Sequence, residues 1–138
     1  MTDTSAAPAK SSKSNLRVLV VDDESKIVEL IKKALEAHSY DVVTASSGEE
    51  ALACACSRPL DVILLDVAMP MMDGFEVLAR LKADRATSRI PVIMVTAKSD
   101  TRSIFQSMDL WALDYVVKPF TIDVLLEAVR RCTTPSLQ

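Results

Sequence analysis

Five short apolar runs, each closed by a polar or charged residue and each followed by a helical pattern, restrict the fold of this chain more than any other feature. Leu16-Arg17-Val18-Leu19-Val20-Val21 stops at Asp22-Asp23-Glu24, and Val62-Ile63-Leu64-Leu65 stops at Asp66. Val92-Ile93-Met94-Val95 hands over to Thr96, Tyr115-Val116-Val117 to Lys118, and Val42, Val43 and Ala45 form a shorter run before Ser46-Ser47-Gly48. Continuous apolar runs bounded by turn residues read as strands buried on both faces. Strands that alternate with helices are joined by crossovers, so they run parallel with helices over both faces, an α/β architecture. All carboxyl ends of such a sheet share one edge, where open α/β folds place their chemistry.

The helices carry their own signals. Ser25 can cap a first helix whose positions Ile27, Leu30, Ile31, Ala34, Leu35 and His38 keep the three-then-four spacing of one face. Ser47 and Glu50 stand at capping-box spacing before a second helix that Arg58-Pro59 ends. Gly74 leads into a third, with Phe75, Leu78 and Leu81 or Lys82 on one face and an end near Arg85. A fourth is expected from about Asp100 to Leu110, and the last, from Thr121, presents Leu125, Ala128, Val129 and Cys132. Residues 1–15 lack periodicity and read as a disordered leader, 16–132 as one domain and 133–138 as a short tail. His38 closes an apolar helix face, which points to packing or capping rather than to a phosphohistidine. Tyr40, Met69, Met71 and Met72 read as packing or loop residues.

Composition removes several classes of function. A net charge of −3 offers no basic stripe for general nucleic-acid binding. No run reaches transmembrane length and the N-terminus lacks the apolar core of a signal peptide, so a cytoplasmic location is expected. Only Gly48 and Gly74 are available, too few for a Walker loop or a dinucleotide-binding loop. Cys54, Cys56 and Cys132 have neither disulfide nor zinc spacing and read as small buried hydrophobes.

The shared sheet edge gathers Asp22, Asp23, Asp66, Thr96 and Lys118. Three clustered carboxylates repel one another unless a proton or a cation joins them, and hard oxygen donors select Mg²⁺ (or Mn²⁺) over softer metals. Three carboxylates, one such cation and one lysine sum to zero charge. An anion such as a phosphoryl group can therefore approach.

Val-Asp-Asp, Leu-Leu-Asp with Met-Pro-Met-Met-Asp-Gly, Val-Thr-Ala and Tyr-Val-Val-Lys-Pro-Phe, in that order, resemble the receiver domain of two-component response regulators, here of the stand-alone single-domain type. The likeness runs from about Leu16 to Cys132. It implies a flavodoxin-like doubly wound (βα)5 fold, a five-stranded parallel sheet in order 2-1-3-4-5. It implies that Asp66 is the phosphoacceptor, that Asp23, Asp66 and the Ala68 carbonyl hold Mg²⁺, and that Asp22 acts partly through water. By the same resemblance Thr96 and Lys118 contact phosphoryl oxygens, Tyr115 with Thr96 forms the switch, and Pro119 is cis. Donors would be a histidine kinase, a histidine phosphotransfer protein or a small phospho-donor such as acetyl phosphate. Phosphorylation would reshape the face made by the fourth helix, fifth strand and fifth helix for a downstream protein, with neither nucleic acid nor membrane as a direct partner. Such a protein is no enzyme beyond its own phosphorylation and dephosphorylation. The alternative is a pseudo-receiver that binds partners without phosphorylation, against which the complete acidic set argues.

Two departures stand out. Ala68 and Lys98, two residues beyond Asp66 and Thr96, are neither carboxylate nor amide, so dephosphorylation is not expected to be specially accelerated. Trp111-Ala112-Leu113-Asp114-Tyr115 replaces the usual Gly-Ala-Asp-Asp-Tyr, and Trp111 there either packs over the sheet edge or anchors a partner beside Ile104 and Phe105. Haloacid-dehalogenase chemistry needs a second Asp where Ala68 stands. A flavodoxin-like redox carrier lacks its phosphate loop here.

Overall fold

In a computed structural model, the structure describes residues 15–97 and 114–133. Five strands, β1 (Arg17–Val21), β2 (Asp41–Ala45), β3 (Val62–Asp66), β4 (Val92–Ala97) and β5 (Asp114–Lys118), form one parallel sheet in the order β2-β1-β3-β4-β5. Four described helices, α1 (Ser25–Ala37), α2 (Gly48–Ser57), α3 (Gly74–Ala83) and α4 (Ile122–Thr133), cover it. The expected strand order and the doubly wound class are those observed.

Strand pleating sorts the apolar runs into two cores. Leu19, Val21, Ile63, Leu65, Val92 and Met94 pack with Ala51 and Ala55 of α2 and Val77, Leu78 and Leu81 of α3. Their alternates Val18, Val20, Val62, Leu64, Ile93 and Val95 pack with Ile31 and Leu35 of α1 and Leu125, Leu126, Ala128 and Val129 of α4. Successive side chains of a strand point to opposite faces, so a run apolar at every position needs helices on both sides. Each fully buried Leu or Ile contributes about 2 kcal/mol or more. The sheet interior is therefore rigid up to the edge where the polar residues begin.

Local details refine the expectations. Glu24, not Ser25, precedes the first turn of α1 and makes no side-chain cap. Leu30 is 53% exposed and His38 also faces solvent, so the apolar face of α1 narrows to Ile31 and Leu35 with partial help from Ile27 and Val28. His38 is the helix C-cap residue, and its Nδ1 lies 3.1 Å from the Ala34 carbonyl. Ser47 does cap α2, accepting from the Glu50 N–H, but the Glu50 carboxylate turns to Ser46 rather than to Ser47. Val77 replaces Phe75 as the fully buried residue near the start of α3, and the helix ends at Ala83. Cys54 and Cys132 are half-buried as small hydrophobes, but Cys56 is exposed, because two residues advance a helix by more than half a turn. Met69 is buried, whereas Met71 is fully exposed with φ 73°. The leader through Ser14, Lys98, the fourth sequence-predicted helix, Ile104, Phe105, Trp111 and the tail after Thr133 lie outside the described residues.

Candidate functional site

Four strands deliver their last residues to one edge. Asp22 follows β1, Asp66 ends β3, Thr96 is the penultimate residue of β4 and Lys118 ends β5. Parallel register sets them level, with Asp66 opposite Val95, Thr96 opposite Val117 and Ala97 opposite Lys118. Asp22, Asp66 and Thr96 are buried and Asp23 is exposed.

The lysine ties the buried acids together. Lys118 Nζ donates to Asp66 Oδ1 at 2.9 Å and to Asp22 Oδ2 at 3.5 Å. The other Asp22 oxygen accepts the Glu24 N–H at 2.9 Å, which orients that carboxylate from its own loop. Burial pushes the Asp66 carboxyl up to about 6; the Lys118 hydrogen bond pulls it down and the Asp22 and Asp23 charges raise it further. For Lys118, burial favours the neutral amine, but its hydrogen bond and attraction to Asp66, with Asp22 adding to both, hold it above the ordinary lysine value. Burial alone thus makes Asp66 hard to charge, and the cation beside it only partly compensates.

The arrangement suits a hard divalent cation. One carboxylate oxygen from each of Asp22, Asp23 and Asp66 lies within 4.8 Å of the others, close to the ~4.2 Å that separates opposite ligands of an octahedral ion with ~2.1 Å bonds. Ala68 lies exposed in the loop at the same edge. The Thr96 hydroxyl donates to the Ala97 carbonyl at 3.2 Å, and Tyr115 is half-buried against the α2–α3 core. The Lys118–Pro119 peptide is cis. A polar cleft of about 290 Å³ opens beside Asp22 and Asp23, lined also by Ser25, Thr44 and Ser46. On the other side an apolar groove of about 430 Å³, lined by Ile27, Leu30, Pro119 and Phe120, begins at Lys118.

Two features of the edge were not read from residue types. The Glu24 amide that holds Asp22 is a backbone group and leaves no mark in the sequence. Gly74, read only as the residue that leads into the third helix, lies against the Asp66 main chain, its N–H donating to the Val67 carbonyl at 2.8 Å.

A parallel five-stranded α/β sheet carrying three carboxylates, a hydroxyl and a lysine on its carboxyl edge is the arrangement that the receiver-domain resemblance implies. The family model of the response regulator receiver domain matches residues 18–130, and this chain belongs to that family. It is 44% identical over 107 residues to the alkaline phosphatase synthesis transcriptional regulatory protein PhoP of Bacillus subtilis, covering 78% of this chain and 44% of that protein. Over 113 residues it is 41% identical to the transcriptional regulatory protein KdpE of Mycobacterium tuberculosis, covering 82% of this chain and 49% of that one. The chain thus spans about half the length of these curated relatives. The chemotaxis response regulator CheY4 of Vibrio cholerae superposes with a TM-score of 0.81 at 33% identity, over 86% of this chain and 99% of that one. Among the described residues no helix is long and apolar enough to cross a membrane.

Proposed function

We propose that this chain is a cytoplasmic, Mg²⁺-dependent phospho-accepting switch with Asp66 as its acceptor. The observation that carries the reading is Asp66 itself: buried, bonded to Lys118 at 2.9 Å, and within 4.8 Å of oxygens from two further carboxylates. Asp22, Asp23, Asp66 and the Ala68 carbonyl would hold the cation, which when bound supplies charge neutralisation for the transferring group. An Asp66 oxygen attacks the donor phosphorus, the phosphorus–nitrogen bond of a phosphohistidine breaks, and its electron pair stays with the imidazole. Lys118 withdraws from the attacking carboxylate and pairs with a phosphoryl oxygen. Thr96 gives up its bond to the Ala97 carbonyl and donates to another, and Tyr115 follows inward to reshape the surface beyond β5. The apolar groove beside Lys118 offers a histidine kinase or phosphotransfer protein a face next to the acceptor, while the downstream protein takes the β5 side. With Ala68 unable to orient a water, dephosphorylation of the acyl phosphate is not specially accelerated. The test is incubation with Mg²⁺ and acetyl phosphate: one phosphoryl group is expected by mass on the wild type and none on Asp66→Asn. A wild type that forms no adduct even with a competent phosphohistidine donor would leave a pseudo-receiver as the better reading.

A further inference from the structure

Gly74, the first residue of α3, touches the main chain of the candidate acceptor. A Cβ placed on it would lie 2.3 Å from the Asp66 carbonyl oxygen and 2.9 Å from the Val67 Cα. Its φ is not positive, so the need for glycine here is one of space and not of backbone conformation. Both sides of the contact are anchored. The Val67 N–H donates to the Val95 carbonyl at 3.0 Å, tying the end of β3 to β4. On the other side Val77, Leu78 and Leu81 are buried to within 1% of full burial, and Asp73 caps α3 by accepting the Glu76 N–H at 2.9 Å. Two close-packed backbones yield far less readily than a flexible side chain.

We propose that Gly74 is a positioning residue: by letting the start of α3 lie against the Asp66–Val67 main chain, it sets where the Asp66 carboxylate and the Ala68 carbonyl meet a divalent cation. The inference rests on the phosphoacceptor reading above. Ordinary contact begins at 3.4 Å, so a methyl group at residue 74 forces the two backbones apart on the order of 1 Å. Small octahedral ions demand near-ideal ligand placement, and a shift of that size disrupts it.

The test measures Mn²⁺ binding by the electron paramagnetic resonance of free Mn²⁺, beside thermal unfolding of each protein. Gly74→Ala is expected to weaken binding about tenfold while remaining folded, the scale seen when groups that orient metal ligands are changed. Val77→Ala, which removes buried volume from the same helix and leaves Gly74 in place, is expected to stay within about twofold of wild type. Wild-type affinity in Gly74→Ala, or an equal loss in Val77→Ala, overturns the proposal. If Gly74→Ala does not fold, Asp73→Ala carries the test by loosening the same helix end without adding an atom. A loss of about threefold is then expected, on the scale of a missing cap, and unchanged binding overturns the proposal. A wild type that takes up no Mn²⁺ removes the cation reading itself, and this proposal with it.

Discussion

Replacing Asp66 with Asn is expected to stabilise the cation-free protein at neutral pH, and the size of the gain follows from the site. The Asp66 carboxyl is raised from an ordinary value of 3.8 to about 6, chiefly because it is buried. Between those values the folded state keeps a proton that the unfolded chain has released, so stability falls as pH rises. The loss is about 1.4 kcal/mol per pH unit and about 3 kcal/mol across the window. Lys118 is raised as well, which favours the folded state at every pH below the ordinary lysine range and adds no slope between pH 4 and 8. Asn cannot ionise, so its variant should match the wild type near pH 4 and exceed it by roughly 1 to 3 kcal/mol at pH 7.5 in EDTA, the lower end allowing for the weakened Lys118 hydrogen bond. Urea unfolding at both pH values, with the slope against urea unchanged, reads this directly. Mg²⁺ should then restore the wild type selectively, by about 2.7 kcal/mol at a hundred times its dissociation constant. A variant that loses stability with pH in parallel with the wild type would refute the argument, because the cost would then lie elsewhere than in the Asp66 charge.

Lys118→Met is expected to abolish phosphorylation while tightening Mn²⁺ binding about tenfold, since it removes a positive charge from beside the two buried carboxylates; weaker binding in a direct titration would show that the lysine holds the acids in place for the cation. Thr87→Val keeps the shape of a residue 1% exposed but leaves the Leu81 carbonyl without the hydroxyl that donates to it at 2.7 Å. A loss of about 1 to 3 kcal/mol is expected by urea unfolding, and an unchanged midpoint would mean that water replaces the hydroxyl.

The sheet was legible because its signal is redundant. Val62 to Leu65 are apolar at both parities, which with the flanking turn residues reads as a strand covered on two sides, and both parities are buried. The gathering of Asp22, Asp66, Thr96 and Lys118 followed from topology, since parallel ends must share an edge. Helix faces were read less well: in α1 the period admitted Leu30 and His38, but the sheet presents only enough surface to cover Ile31 and Leu35 fully. Backbone relations were not legible at all. The Glu24 amide on Asp22 and the approach of Gly74 to Asp66 depend on how loops close, and an Asp-Gly pair looks the same whether it only turns the chain or also supports a site.

The energetics of the edge connect the fold to the switch. A desolvated Asp66 costs the folded state about 3 kcal/mol at neutral pH, comparable to what one fully buried leucine contributes. Leu64 and Leu65, immediately before it on β3, are buried to within 1% and lie on opposite faces of the sheet, so the strand that carries the charge also supplies the burial that offsets it. On the phosphoacceptor reading, forming the acyl phosphate removes the anion from the buried carboxyl and moves negative charge outward to the phosphoryl oxygens. Lys118, bonded to Asp66 and Asp22 before the reaction, then finds its strongest partner farther from the sheet. The strain relieved at Asp66 and the new attraction on Lys118 act in the same direction, away from the core. The strands carrying these groups are packed between two cores, so on the same reading the response falls on side chains and loops at the edge: on Thr96, whose hydroxyl bond to Ala97 is long enough to give up, and on half-buried Tyr115.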